Sequence, residues 1–265
     1  MHPRVGLHQV AFLRESTTAF LRHCLDIGVQ HATLVTPILM QKGAVAEAAG
    51  AGVSITGINH PFAVQPDLEH DDLRATQALN DVIDAAVALG KPDIYLLTGG
   101  RGTLSWERAA RRFGELIAPC TARADTEGVR LLVENASAFN ADIHITHTLA
   151  DTITLASGAG IGVCVDVHAC WAEAGLSDLI HRAMPLTGLI QVSDYVLGDR
   201  CAPCRAVPGD GVIPLHRIIG DALDAGYTGV FDIELVGPRI DEEGPRVATA
   251  RAAHRVSDIL TELGA

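Results

Sequence analysis

The stretch VRLLVENASAF, residues 129–139, decides the fold. It is a run of strand-forming residues that closes on a carboxylate, Glu134. Three later stretches have the same form: GVCVDVHACW (162–171), GLIQVSDY (188–195) and GVFDIELVG (229–237). Each is an apolar run of strand length with an oxygen-bearing side chain near its C-terminal end: Glu134, Asp166, Gln191 and Glu234. Side chains alternate across a strand. Leu131 and Val133 therefore share a face opposite Leu132 and Glu134, and Val163, Val165 and Val167 lie opposite Cys164, Asp166 and His168. In the same way Ile190 and Val192 oppose Leu189, Gln191 and Ser193, while Phe231, Ile233 and Leu235 oppose Asp232 and Glu234. One wholly apolar face per strand fits a sheet whose outer side meets helices and whose inner side lines a barrel.

The rest of the chain continues the alternation. Strand patterns fall at 4–12, 32–37, 53–59, 93–98, 129–135, 162–167, 188–193 and 229–235, each followed by a longer helical pattern, the signature of βα units. Eight such units close a (β/α)₈ barrel. Trp106, Ala110, Phe113, Ile117 and Cys120 form one apolar stripe, as do Leu79, Ile83, Ala86 and Leu89. A last helix is expected over 243–263. The expectation is an α/β protein, one TIM-barrel domain spanning residues 1–265, a length normal for that fold. Hydrophobic content of 48% supports a large core.

Charge and cysteine usage narrow the function. A net charge of −12 argues against a general nucleic-acid binder, which needs a basic face. No apolar run approaches the ~18 residues of a membrane span, and the N-terminus lacks a leader pattern. The six cysteines then read as reduced thiols of a cytoplasmic protein. Cys201-x-x-Cys204 is a lone pair, with no second pair to build a zinc ribbon. The GGRG segment (99–102) lacks the spacing of a phosphate loop and reads as a turn. The connection 194–214 is longer than most in compact domains, and after strand seven it would border the substrate site.

Several carboxylates pointing into one barrel are costly to bury unless a cation neutralises them. The donors are all oxygen, which suits Mn²⁺ or Mg²⁺, with Co²⁺ able to substitute. His8 and His60, at the ends of strands one and three, and His168, beyond Asp166, are candidates to contact a substrate.

The segments LLVEN, VCVDVHA, IQVSDY, PGDGVIPL, GYTGV and DIEL resemble the xylose-isomerase-like barrel superfamily. The resemblance covers most of the chain, most strongly from Leu131 onward. It implies that Glu134, Asp166, Gln191 and Glu234 bind the metal and that Glu134 and Glu234 also give and take a proton. It implies an isomerase or epimerase of a small keto-sugar or other hydroxy-carbonyl compound, acting through an enediolate whose charge the cation stabilises. Arg205, before the PGDG turn, resembles the substrate-contacting arginine of some epimerases. Ala169 stands where relatives often carry His, and Asn140 where some ketose epimerases carry an acid. An alternative keeps the site but expels a leaving group, giving a lyase or dehydratase on a keto-sugar, keto-inositol or 3-oxo-glycoside. Further rivals are an abasic-site endonuclease, whose additional His ligands this chain lacks, and a non-catalytic barrel subunit. The expected partner is a carbohydrate, with no nucleic acid and no membrane; assembly into a homo-oligomer is left open.

Overall fold

The computed structural model describes residues Met1–Ala265. Its strands are β1 (Val5–His8), β2 (His31–Val35), β3 (Ser54–Pro61), β4 (Asp93–Leu97), β5 (Leu131–Glu134), β6 (Gly162–Asp166), β7 (Thr187–Val192) and β8 (Phe231–Ile233). All neighbours pair in parallel, and β8 pairs with β1, closing the barrel in sequence order. Around it lie α1 (Thr17–Asp26), α2 (Thr36–Leu39), α3 (Ala44–Ala49), α4 (Arg74–Ala88), α5 (Trp106–Glu127), α6 (Leu149–Ala159), α7 (Val167–Cys170), α8 (Leu176–Ala183), α9 (Leu215–Asp224), α10 (Pro238–Glu243) and α11 (Pro245–Glu262). The chain is thus a (β/α)₈ barrel. None of its helices is long and apolar enough to cross a membrane.

Two apolar clusters show how the strand faces are used. Val133, Val165, Ile190 and Ile233 pack outward into the large core shared with the helices. Tyr95, Leu132, Cys164 and Leu189 form a separate small cluster inside the barrel. Leu132 fits there because its neighbours are glycines. A Cβ on Gly162 would lie 2.5 Å from the Leu132 side chain, and one on Gly188 would lie 2.8 Å from it. Both approaches are too close for any larger residue.

Seven of the eight strands stop before the end that the sequence pattern suggests, and a side-chain cap ends two of them. The first stops at His8, whose Nδ1 accepts the Val10 N–H at 2.9 Å and starts a 3₁₀ turn over Gln9–Phe12. The sixth stops at Asp166, whose Oδ1 accepts the His168 N–H at 3.0 Å and starts α7. His168 therefore sits on a helix, beyond the reach of strand alternation. The GGRG segment is a close-packed turn. Gly99 has φ +95°, and a Cβ there would fall 1.7 Å from the Ala63 carbonyl oxygen; a Cβ on Gly100 would fall 2.2 Å from the Asp142 oxygen.

Candidate active site

Strand register brings the acidic residues together at the C-terminal rim of the barrel. Glu134 pairs with Cys164, Asp166 with Gln191, and Gln191 with Asp232. Glu234 follows β8 directly, its N–H donating to the Val192 oxygen at 3.2 Å. One carboxylate oxygen each from Glu134, Asp166 and Glu234 lies within 4.8 Å of the others, and all three residues are buried. Such a triad can hold a metal ion, and its donors are all hard oxygens.

The remaining charge at the rim comes from the long loop 194–214. Arg205 donates from Nη1 to Asp166 Oδ1 at 3.0 Å and from Nη2 to Asp166 Oδ2 at 2.8 Å. Its Nη1 also reaches the Ser193 hydroxyl at 3.1 Å, and its Nη2 lies 2.9 Å from Glu234 Oε2. That last contact is an ion pair without hydrogen-bond alignment, so Glu234 Oε2 is a buried acceptor that receives no hydrogen bond. For Glu134, the backbone oxygen accepts from Thr146 at 2.8 Å and lies 2.7 Å from His144 Nε2, whereas no protein hydrogen bond reaches its carboxylate. Two under-satisfied carboxylates beside a third are what a cation would complete.

These contacts move the titration of the groups involved. Burial, then the charges of Glu234 and Asp166, holds the Glu134 carboxyl well above the usual range. Burial raises Glu234 to about 7, with Arg205 opposing the shift. Burial alone would depress the Arg205 guanidinium, but Asp166 and Glu234 more than offset it and hold it above its ordinary value. Below the triad, burial raises Asp232 to about 8, and neither of its oxygens has a well-formed hydrogen bond.

The expected substrate-contacting residues separate. His8, His168 and Arg205 line the cleft above the triad; His60 does not. His60 is buried with Nδ1 3.3 Å from Thr36 Oγ1 on α2, so it faces the helical layer. An irregularity in the β2–β3 register near Ala32 and Thr33 precedes it, and Asn59, one position earlier, lines the cleft instead. His168 lies with Nε2 3.2 Å from the Cys204 carbonyl oxygen, which ties α7 to the long loop. His8 bonds through Nε2 to the Tyr95 hydroxyl, and burial, then Arg205, lowers its pKa to about 3, so it is neutral.

Gln191 is fully buried and is not part of the cleft lining. Its Nε2 donates to the Tyr95 hydroxyl at 3.0 Å, and its Oε1 receives only the weak Cys164 thiol at 3.4 Å. The two thiols of the CxxC pair are free, Cys201 exposed and Cys204 buried. Both border the cleft, as the loop's position after β7 predicts.

Three positioning residues escape a reading of single strands. Asn135 accepts the Asp166 N–H at 2.9 Å and donates to the Asp166 oxygen at 2.8 Å, locking the ends of β5 and β6 together. Tyr95 joins His8 to Gln191 across the barrel. Asp194 accepts four backbone N–H groups, from Tyr195, Gly209, Gly211 and Ile213, at 2.8–3.0 Å. With the bridge between Asp194 and Ala206, and the Arg205 N–H bonded to the Val236 oxygen at 3.1 Å, this fixes the backbone on both sides of Arg205. The VEN and SDY–PGDG motifs held the signal for Asn135 and Asp194. Nothing in the sequence marked Tyr95.

The barrel and its acidic rim define the class, and the family model for the xylose isomerase-like TIM barrel matches residues 33–258. The chain belongs to the xylose isomerase-like TIM barrel family. A fructoselysine 3-epimerase of Shigella flexneri is 22% identical over 213 residues, covering 77% of this chain and 73% of that one. Among solved structures, the IOLI protein with a bound zinc atom superposes with a TM-score of 0.82 at 13% identity, covering 98% and 99% of the two chains. The 3-keto-D-glucoside 4-epimerase of E. coli superposes with a TM-score of 0.73 at 16% identity, covering 98% of each.

Proposed function

We propose that this protein is a divalent-metal-dependent isomerase or epimerase of a small keto-sugar or related hydroxy-carbonyl compound, acting through an enediolate. The observation that carries the reading is the buried triad Glu134, Asp166 and Glu234 on the floor of the cleft, converging within 4.8 Å. The named activities of the fructoselysine epimerase and of the 3-keto-glucoside epimerase are in keeping with it.

Glu134, Asp166 and Glu234 would hold the cation, with the Gln191 amide oxygen as a neutral fourth donor. The all-oxygen set favours Mn²⁺ or Mg²⁺, with Co²⁺ as a substitute. When bound, the ion supplies electrostatic stabilisation of the negative charge that develops on the substrate oxygens. Glu134 and Glu234 reach the same space from separate strands, so one can remove the proton beside the carbonyl and the other return it. Burial holds the Glu134 carboxyl well above the usual range and raises Glu234 to about 7, where it can serve as either acid or base. Arg205 holds Asp166 and Glu234 in place, and His168 keeps the loop against the rim.

The test is proton exchange in D₂O, followed by NMR over a panel of keto-sugars and keto-inositols, with metal-replete and chelated protein. Metal-dependent deuterium incorporation and an isomeric product are expected. Exchange followed by loss of a substituent would make it a lyase. No exchange from any keto substrate would end the proposal.

A further inference from the structure

We infer that the substrate is uncharged and carries an apolar, preferably aromatic, group beyond the reacting sugar; the inference rests on the proposed keto-sugar chemistry and names its substrate class. The first support is charge. Arg205 is the only lysine or arginine lining the cleft, and its guanidinium is spent on Asp166, Ser193 and Glu234. His8 is neutral, and His168 Nε2 is taken up by the Cys204 carbonyl oxygen at 3.2 Å. With a divalent ion bound, three ionised carboxylates and the Arg205 guanidinium would carry an excess of two negative charges, which the ion only cancels. A phosphate or carboxylate on the substrate would find no unpaired cation there. Its desolvation and its repulsion from the floor would both oppose binding.

The second support is the wall. The cleft has a volume of about 360 Å³, and above its acidic floor the lining includes Val10, Phe139, Trp171, Tyr195, Pro203 and Val236. Trp171 and Tyr195 lie 6.2 Å apart, with ring planes 32° from parallel, and the His168 ring meets Tyr195 edge-on at 6.0 Å. Phe139 stands on the turn Ala138–Asn140 at the mouth and is 75% exposed. A large aromatic ring left in water beside a polar reaction centre forgoes burial that an apolar group on the ligand would supply. Rings in this arrangement suit a flat partner, and the polar floor fixes the sugar end. The occupant that satisfies both levels is a neutral keto-glycoside with an apolar aglycone.

Two measurements on the metal-replete full chain test this and separate it from the parent reading. Calorimetry compares the unreactive probes phenyl β-D-glucopyranoside, methyl β-D-glucopyranoside and glucose 6-phosphate. The phenyl glucoside is expected to bind about tenfold more tightly than the methyl glucoside, and F139A to reduce that ratio below about threefold. Glucose 6-phosphate is expected to bind no better than the methyl glucoside. Equal or undetectable binding of the two glucosides, or tightest binding of the phosphate, overturns the inference. The second measurement is α-proton exchange with 3-keto-glucosides bearing phenyl or methyl aglycones. Equal exchange rates overturn the substrate class and leave the isomerase reading standing. No exchange alongside selective phenyl binding overturns the isomerase reading and leaves the apolar wall in place.

Discussion

Arg205 holds Asp166 through both terminal nitrogens of its guanidinium, at 3.0 and 2.8 Å, in a nearly dry setting. Planar two-point recognition is a property of arginine that lysine cannot reproduce. Removing it leaves Asp166 and Glu234 buried side by side without their cation. R205K is therefore expected to cost about 2 kcal/mol of stability and R205A about 3–5 kcal/mol, read as urea unfolding of chelated protein. Turnover should fall at least about 100-fold in both. A lysine variant with wild-type rate and stability would show that the fork is dispensable.

Glu134 stands in a different position, with no protein donor on its carboxylate and two acids beside it. Its charge is a liability to the bare fold and an asset to the chemistry. E134Q and E234Q are expected to lower α-proton exchange about 10²–10⁴-fold, the usual worth of a general acid or base. In the presence of chelator, E134Q should unfold at the same temperature as the parent or higher, because like-charge repulsion is gone. Adding Mn²⁺ should raise the melting temperature of the parent more than that of E134Q. Normal exchange in either variant removes that residue from the mechanism.

The same two residues show what was legible in the sequence. Glu134 ends an alternating strand, so its inward direction and its height in the barrel followed from period two alone. Asp166 and Glu234 followed likewise, because a carboxylate at the rim of a buried strand is conspicuous. His60 was not legible: the register irregularity between β2 and β3 brings Asn59, not His60, to the cleft, and no residue type announces it. The inward direction of Gln191 followed from the same alternation, but its tie to Tyr95, a residue nearly a hundred positions away, depends on barrel closure. The aromatic wall was equally hidden, since Phe139, Trp171 and Tyr195 come from three separate loops and helices.

Asp194 carries the long loop. Its two carboxylate oxygens accept four backbone N–H groups, and Gly211 must lack a side chain because a Cβ there would fall 2.2 Å from the Tyr195 oxygen. D194N keeps one acceptor oxygen and turns an amide against the other N–H groups. It is expected to cost about 2–3 kcal/mol and to free the segment around Arg205. Hydrogen exchange should rise at 195–213 while the β5 and β6 amides stay protected. Unchanged protection across the loop would show that the PGDG turn holds without its carboxylate.

His60 gives a pH dependence that involves no residue of the triad. Burial alone lowers its pKa from 6.5 to about 4. The unfolded chain takes up a proton near pH 6.5, and the folded chain resists until about pH 4. The stability tied to neutral His60 is therefore complete above pH 6.5 and is lost as pH falls toward 4, by up to about 3 kcal/mol. His8, at about 3, and His144, lowered chiefly by burial to about 4, act in the same direction. The raised carboxyls of Asp232 and Glu234 act oppositely, their contribution being lost as pH rises through about 8 and 7. The whole protein's profile mixes both signs, so the comparison that isolates His60 is the parent against H60Q. Urea unfolding at intervals from pH 7 to 4.5 should show the parent losing more stability than H60Q, by the worth of one proton. Parallel profiles would mean that His60 already titrates normally in the fold, and that its burial against Thr36 is looser than the 3.3 Å contact implies.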